Sequence, residues 1–254
     1  MRLLFLGTGT SQGIPVVGCT CSTCQSTDVR DRRLRSSVYI EAGESKFLVD
    51  TSPDLRQQLL THHITDLDAI LFTHEHNDHT AGLDDVRPIN FLQRKSIPAY
   101  ADDRVSKDLT IRYPYVFGNS HYPGSPQVAL NRLEAGKSHI IAGQSIEALA
   151  VIHGNLNILG FKINDLAYIT DASALPDATV EAIKGVKVLV LNALQPTPHH
   201  AHFSLDQAVA MALEIGAEQT YLTHMSHQLG PVHVWSKLLP PEIFAAHDGL
   251  WVEI

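Results

Sequence analysis

The sequence predicts an α/β fold, and three observations carry that prediction. Short apolar runs of strand length recur along all 254 residues, helical patterns lie between several of them, and 44% hydrophobic residues suffice for a large core. The strand candidates are Arg2–Leu6, Val38–Ala42, Phe47–Asp50, Ala69–Thr73, Leu166–Thr170, Val186–Asn192 and Thr220–Thr223. A helix is expected over Pro53–His62, which opens with a proline suited to a first turn. The clearest helix is Leu205–Ile215. Ser204 can cap it, Gln207 completes a capping box, Ala208, Val209, Ala212 and Leu213 form an apolar stripe, and Gly216 ends it.

No internal repeat or linker-like tract divides the chain, so residues 1–254 are read as one domain. Residues 104–130 stand apart. Tyr113-Pro114-Tyr115, Gly118-Asn119 and Tyr122-Pro123-Gly124-Ser125-Pro126 predict an irregular, aromatic-rich insertion that could wall an active site. The first residues, Met1-Arg2-Leu3-Leu4-Phe5-Leu6-Gly7, are too briefly apolar for a secretory signal and read as a buried strand. That reading, with no apolar run of membrane-spanning length, predicts a cytoplasmic protein without membrane contact. The balance of 19 Lys+Arg against 27 Asp+Glu, net −8, argues against a broad grip on nucleic acid. It does not exclude a phosphate substrate, because bound cations reverse the local field.

Histidine is the compositional anomaly: 15 residues, nearly as many as Lys and Arg together. The densest cluster, Thr73-His74-Glu75-His76-Asn77-Asp78-His79, follows directly on a strand candidate. His74 and His76 share a face in an extended segment and can reach one cation; Asp78 and His79 turn toward a second position. Imidazole and carboxylate suit zinc, manganese and iron, which leaves the metal open. Glu75 and Asn77 are expected to support the cluster, and Asp50 or Asp68 to orient its histidines.

His-x-His-x-Asp-His resembles the signature of the metallo-β-lactamase superfamily. The resemblance implies a four-layer αβ/βα sandwich with a dinuclear metal site at one edge, between two mixed sheets. Further motifs follow in order. Ile152-His153-Gly154 resembles the third-histidine motif, Ile169-Thr170-Asp171 the bridging aspartate, and Leu222-Thr223-His224 the last histidine. By this resemblance His74, His76, His153 and Asp171 hold one divalent cation, and Asp78, His79, Asp171 and His224 the other. A hydroxide generated between them would be the nucleophile, with Asp78 counted among the catalytic residues.

Three features point to the phosphodiesterase branch similar to the PhnP family, whose reaction opens 5-phosphoribosyl 1,2-cyclic phosphate to ribose 1,5-bisphosphate. The opening Leu6-Gly7-Thr8-Gly9-Thr10-Ser11-Gln12-Gly13-Ile14-Pro15 resembles that branch's glycine-rich start, and Asp248-Gly249 its end. Cys19, Cys21 and Cys24 form Cys-x-Cys-x₂-Cys, three thiolates that in this branch pair with a histidine after the last ligand. His227 stands there, implying a structural zinc. Pro198-His199-His200-Ala201-His202-Phe203-Ser204-Leu205 offers His202 as the histidine placed before the helix, a general acid for the leaving oxygen, with His199 and His200 as rivals. The family resemblance further implies a homodimer and a small cyclic or nucleotide-like phosphodiester as substrate. The alternatives are a tRNA 3′-processing endonuclease, a glyoxalase-II- or lactonase-like ester hydrolase, and a metal-binding scaffold without turnover. Arg30, Arg32, Arg33 and Arg35 are read as a solvated basic face.

Overall fold

The computed structural model describes residues 1–118 and 124–254. Among the described residues, fourteen strands form two sheets of seven. The first holds β1 (Arg2–Gly7), β2 (Ser37–Ala42), β3 (Ser45–Val49), β4 (Ala69–Leu71), β5 (Ile97–Ala101) and β6 (Val128–Arg132). The second holds β7 (Lys137–Ile141), β8 (Gln144–His153), β9 (Leu156–Ile163), β10 (Leu166–Tyr168), β11 (Val188–Asn192), β12 (Gln219–Thr223) and β13 (Ile243–Ala245). β14 (Trp251–Glu253) returns to the first sheet and pairs antiparallel with β1, in the order 14-1-2-3-4-5-6; the second runs 13-12-11-10-9-8-7. Both sheets are mixed. Pairs β3 to β6 and β10 to β13 are parallel, and the remaining pairs antiparallel.

The helices are α1 (Leu55–Thr61), α2 (Asn77–Thr80), α3 (Arg87–Gln93), α4 (Asp103–Arg112), α5 (Pro114–Phe117), α6 (Asp177–Ile183), α7 (Leu205–Ile215) and α8 (Val232–Trp235). Three apolar cores define four layers. Leu3, Phe5, Phe47 and Val49 of the first sheet meet Phe161, Tyr168, Val188 and Val190 of the second. The first sheet's other face packs under α1, α3 and α4 through Leu48, Leu55, Ile89 and Leu109. The second sheet's packs under α6 and α7 through Leu189, Leu191, Val180 and Ala212. Strands buried on both faces must be apolar throughout, which is why β11 reads Val-Leu-Val-Leu before its single terminal Asn192. Among the described residues no helix is long and apolar enough to cross a membrane.

α7 forms with the expected limits: both arms of the Ser204–Gln207 capping box are made and Gly216 closes it in the left-handed region. Its stripe differs, since Ala208, Ala212 and Ile215 are buried whereas Leu213 faces solvent. α1 starts at Leu55 rather than Pro53. The Asp54 carboxylate is engaged by the Arg35 backbone N–H (2.9 Å) and guanidinium (3.1 Å), so it does not cap the helix.

The described residues within 104–130 correct the expectation of an irregular insertion. α4 begins at Asp102, whose side chain accepts from the Val105 N–H (2.8 Å), and buries Val105 and Leu109 one turn apart. Pro114 opens α5 at its first turn, and β6 joins the sheet. Asn119, Tyr122 and Pro123 lie outside the described residues. The basic run is only partly a solvated face. Arg30 and Arg32 are exposed, but Arg33 is buried, donating to Thr8 Oγ1 (2.7 Å) and the Ala246 carbonyl (2.6 Å), and Arg35 pairs with Asp54.

The two ends of the chain are tied together. Beyond the β1–β14 ladder, Asp248 accepts from Thr8 Oγ1 and from the Leu34 N–H, both at 2.7 Å, and Thr10 N–H bonds the Met225 carbonyl.

Candidate metal centre

The candidate residues collect where strands of both sheets end. Asp50 follows β3, His74 lies three residues past β4, His153 ends β8, Asp171 lies three past β10, and His224 follows β12. Asp50, Asp171 and His224 adopt positive φ of 62°, 59° and 54°. Non-glycine residues pay for that conformation, and it persists where surrounding contacts over-determine it. Here the Asp50 carboxylate is gripped by the Thr73 N–H and hydroxyl, each at 2.8 Å. Asn192 at the end of β11 accepts from the Ala172 N–H (2.7 Å) and donates to the Ala172 carbonyl (3.0 Å), bracing the turn that carries Asp171.

Hydrogen bonds behind the histidines decide which ring nitrogen faces inward. His79 Nδ1 donates to Asp50 Oδ2 (2.7 Å), and His153 Nδ1 to the Ala201 carbonyl (2.7 Å). The Thr73 hydroxyl gives its proton to Asp50, so at 3.0 Å it accepts from His74 Nδ1. The Ser36 hydroxyl gives its proton to the Gly9 carbonyl (2.9 Å), so at 3.1 Å it accepts from His224 Nδ1. All four rings therefore turn Nε2 toward the common space. His74 Nε2 there lies 3.0 Å from His76 Nδ1, and the donor atoms of His74, His76 and His153 lie within 4.8 Å of one another. A second set, Asp78, His79 and His224, meets the same limit, and Asp171 reaches both sides. Its Oδ2 is 3.3 Å from His79 Nε2 and its Oδ1 3.2 Å from His224 Nε2.

This donor set fits divalent cations. His79 Nε2 is buried without a hydrogen-bond partner. Burial pushes the pKa of the His79 imidazole down, but Asp171, Asp78 and Asp50 overcome it and move it well above its ordinary range. Burial likewise raises the Asp171 carboxyl, and the surrounding His224, His79, His74 and His202 reverse the effect and drive it well below the carboxylate range. A buried nest of carboxylates calls for positive charge, and cations at the converging Nε2 atoms would supply it.

His202 lies at the rim, with its ring stacked on His224 (5.2 Å between centroids) and tilted against His153 (4.7 Å). Its Nδ1 is buried, has no hydrogen-bond partner and stands 3.7 Å from Asp171 Oδ1. Burial lowers its pKa to about 3 against the pull of Asp171. Of its rivals, His199 is 5.2 Å from His202 ring to ring, and His200 is exposed. Cys19, Cys21 and Cys24 place their Sγ atoms 3.3, 3.4 and 3.6 Å from His227 Nδ1. One ring nitrogen cannot bond three sulfurs, whereas four lone pairs around one cation need such convergence. The Val16 and Cys24 N–H groups point at Cys24 and Cys21 sulfur. The Cys24 N–H, ahead of His227, lowers the Cys21 thiol to about 6, while burial raises Cys24 to about 11.

Asp68 takes no part in the centre; its carboxylate accepts from the Lys46 N–H and pairs with Lys95. Sequence reasoning did not single out Ser36, Thr73 and Asn192 as supports. Only Asn192 carries a visible signal, a polar residue closing an apolar run.

Residues 45–225 match the model of the β-lactamase superfamily domain. The chain belongs to this superfamily. The matched segment contains every residue of the histidine–aspartate nest but none of the cysteine cluster. Among solved structures, a superfamily member described as a new diphosphatase from the PhnP family is 39% identical with a TM-score of 0.92, over 100% of this chain and 97% of that one. Zinc-bound PqqB from Methylobacterium extorquens, 19% identical with a TM-score of 0.82 over both whole chains, shares the fold. An octanoyltransferase of Porphyromonas gingivalis is 39% identical over 98% of this chain, which spans 51% of that protein, about half its length.

Proposed function

We propose that this chain is a metal-dependent hydrolase of the PhnP kind that cleaves a small phosphodiester. In this reading His74, His76, His153 and Asp171 hold one divalent cation, manganese, zinc or iron, and Asp78, His79, Asp171 and His224 a second. The carrying observation is the inward Nε2 of four histidines, each fixed by a bond behind the ring, around an aspartate that reaches both donor sets. When bound, the cations supply charge neutralisation at phosphate and a water of lowered pKa.

The chain's own residues do the rest. Ser36, Thr73, Asp50 and the Ala201 carbonyl keep the rings in one tautomer, so no reorientation is needed when substrate arrives. His202, at the rim, positions the phosphate and, once the negative charge of bound substrate raises its pKa, gives a proton to the departing oxygen. An ester or thioester hydrolase would leave His202 and the cysteine cluster without a task, and net −8 disfavours a large RNA. A second reading, cleavage of a P–O–P bond, is favoured by the 39%-identical neighbour described as a diphosphatase.

A structural zinc on Cys19, Cys21, Cys24 and His227, a single domain built on the core shared by the two sheets, a homodimer and a cytoplasmic location complete the proposal. Light scattering and cell fractionation check the last two.

The test is hydrolysis of bis(p-nitrophenyl) phosphate, an organic diphosphate, a p-nitrophenyl carboxylic ester and a thioester by metal-reconstituted enzyme. Selective cleavage of the phosphodiester supports the first reading, and of the diphosphate the second. Selective ester or thioester cleavage overturns both. His202→Ala is expected to lose about 10²–10⁴ in rate with its metal content unchanged.

A further inference from the structure

The segment His74–Thr80 offers its donor groups on one side and is gripped from the other. Its only regular element, α2, is a single turn of four residues whose N-terminus has no side-chain cap. A helix so short does not hold itself. The support comes from α4. Arg112 in its last turn spreads one guanidinium over the segment: Nη1 donates to Asn77 Oδ1 (2.9 Å), and Nη2 to the Glu75 carbonyl (3.0 Å) and to Thr80 Oγ1 (2.7 Å). The Thr80 hydroxyl passes its proton to the His76 carbonyl (2.8 Å), so the grip runs from Arg112 to the backbone of His76. Asp108, one turn earlier, accepts from Arg112 Nε (2.6 Å). Tyr113 donates its hydroxyl to the Thr80 carbonyl (3.0 Å). At the far end of α4, Arg104 stands 3.2 Å from Glu75 and donates to the Asn157 carbonyl (2.8 Å).

We propose that Arg112 is a positioning residue for the metal centre: it locks the backbone between His74 and Thr80 so that the donor groups of His76, Asp78 and His79 meet at fixed spacing. It touches none of the donor atoms and acts only through the segment that carries them. The inference rests on the assignment of those three residues as cation donors under Proposed function. It also gives residues 103–113 a task in the centre.

The experiment is a Mn²⁺ titration of metal-stripped protein, followed by the electron paramagnetic resonance signal of free Mn²⁺. Manganese favours imidazole and carboxylate over thiolate, so the cysteine cluster does not contribute. Arg112→Met is expected to weaken Mn²⁺ binding about 10–100-fold, the usual consequence of losing an outer support. Arg112→Lys should recover little of this, because one ammonium cannot span three acceptors. Asp108→Ala, which removes the pair within α4 and spares the contacts to the segment, should stay within about twofold. Should Arg112→Met fail to fold by circular dichroism, Asn77→Ala removes one of the three bonds and is expected to cost about threefold to tenfold. Mn²⁺ affinity equal to wild type in Arg112→Met, or in Asn77→Ala if that variant is used, overturns the positioning role and leaves the centre standing. Wild-type protein that binds no Mn²⁺ overturns the donor assignment itself.

Discussion

His79 Nδ1 donates to Asp50 Oδ2 across 2.7 Å, and both side chains are completely buried. The same carboxylate accepts from the Thr73 N–H and hydroxyl. One aspartate therefore holds His79 directly and His74 through Thr73.

Asp50→Ala is accordingly expected to cost about 3–5 kcal/mol of stability, since it strands a buried imidazole. It should also weaken binding of the active-site cations about 10–100-fold. Urea unfolding of the metal-free protein reads the first, and metal titration the second. Stability within about 1 kcal/mol of wild type would contradict the buried-pair account.

Asp171 lies between the two donor sets, so Asp171→Ala should lower bound metal on both sides and abolish hydrolysis. Asp78→Ala should affect one side first. Metal analysis after gel filtration distinguishes them, and full occupancy in Asp171→Ala would remove its bridging role.

Cys21→Ala should lose one zinc per chain and some stability, while the metal of the histidine–aspartate nest is largely retained. The Cys21 thiol has its pKa lowered from 9.0 to about 6 in the folded chain. Its thiolate thus stabilises the fold above about pH 9, and that contribution is lost as pH falls toward 6. Alkylation of zinc-stripped protein should reach half its limiting rate near pH 6. A midpoint near 9 would refute the N–H and imidazole support seen around the sulfur.

Asp248 titrates the other way. Burial raises its carboxyl from 3.8 to about 6 against the Leu34 N–H, the Thr8 hydroxyl and Arg33. Between about pH 4 and 6 the folded chain keeps a proton that the unfolded chain releases, so this residue's contribution falls with rising pH and is flat above. Asp248→Asn removes that slope. Melting temperatures of the two proteins measured from pH 4 to 7 should differ by a pH-dependent amount confined to this window.

How much was legible followed the range of the interactions. The α7 helix could be read to the residue, because Ser204, Gln207 and Gly216 act within one turn of its ends. The cluster from His74 to His79 was equally plain, since its chemistry is packed into one segment. α4 was hidden: with Val105 and Leu109 as its buried pair in a polar stretch, only docking beneath the first sheet makes it a helix. The burial of Arg33 depends on Thr8 and Ala246, and the role of Ser36 on His224, partners that no local pattern exposes. Asp50 was read as the last strand residue, but its left-handed backbone ends β3 one position earlier and gives the carboxylate its aim.

The β1–β14 ladder pairs Arg2 with Glu253, so two strands far apart in sequence lie side by side. During synthesis on the ribosome β1 emerges well before β14, and the strand that covers its outer edge follows roughly 13 to 50 s later at ordinary elongation rates. Over that interval Leu3 to Phe5 present an open apolar edge, the kind of surface that seeds aggregation or recruits a chaperone. Nascent chains would thus depend on protection of β1 until β14 has been made.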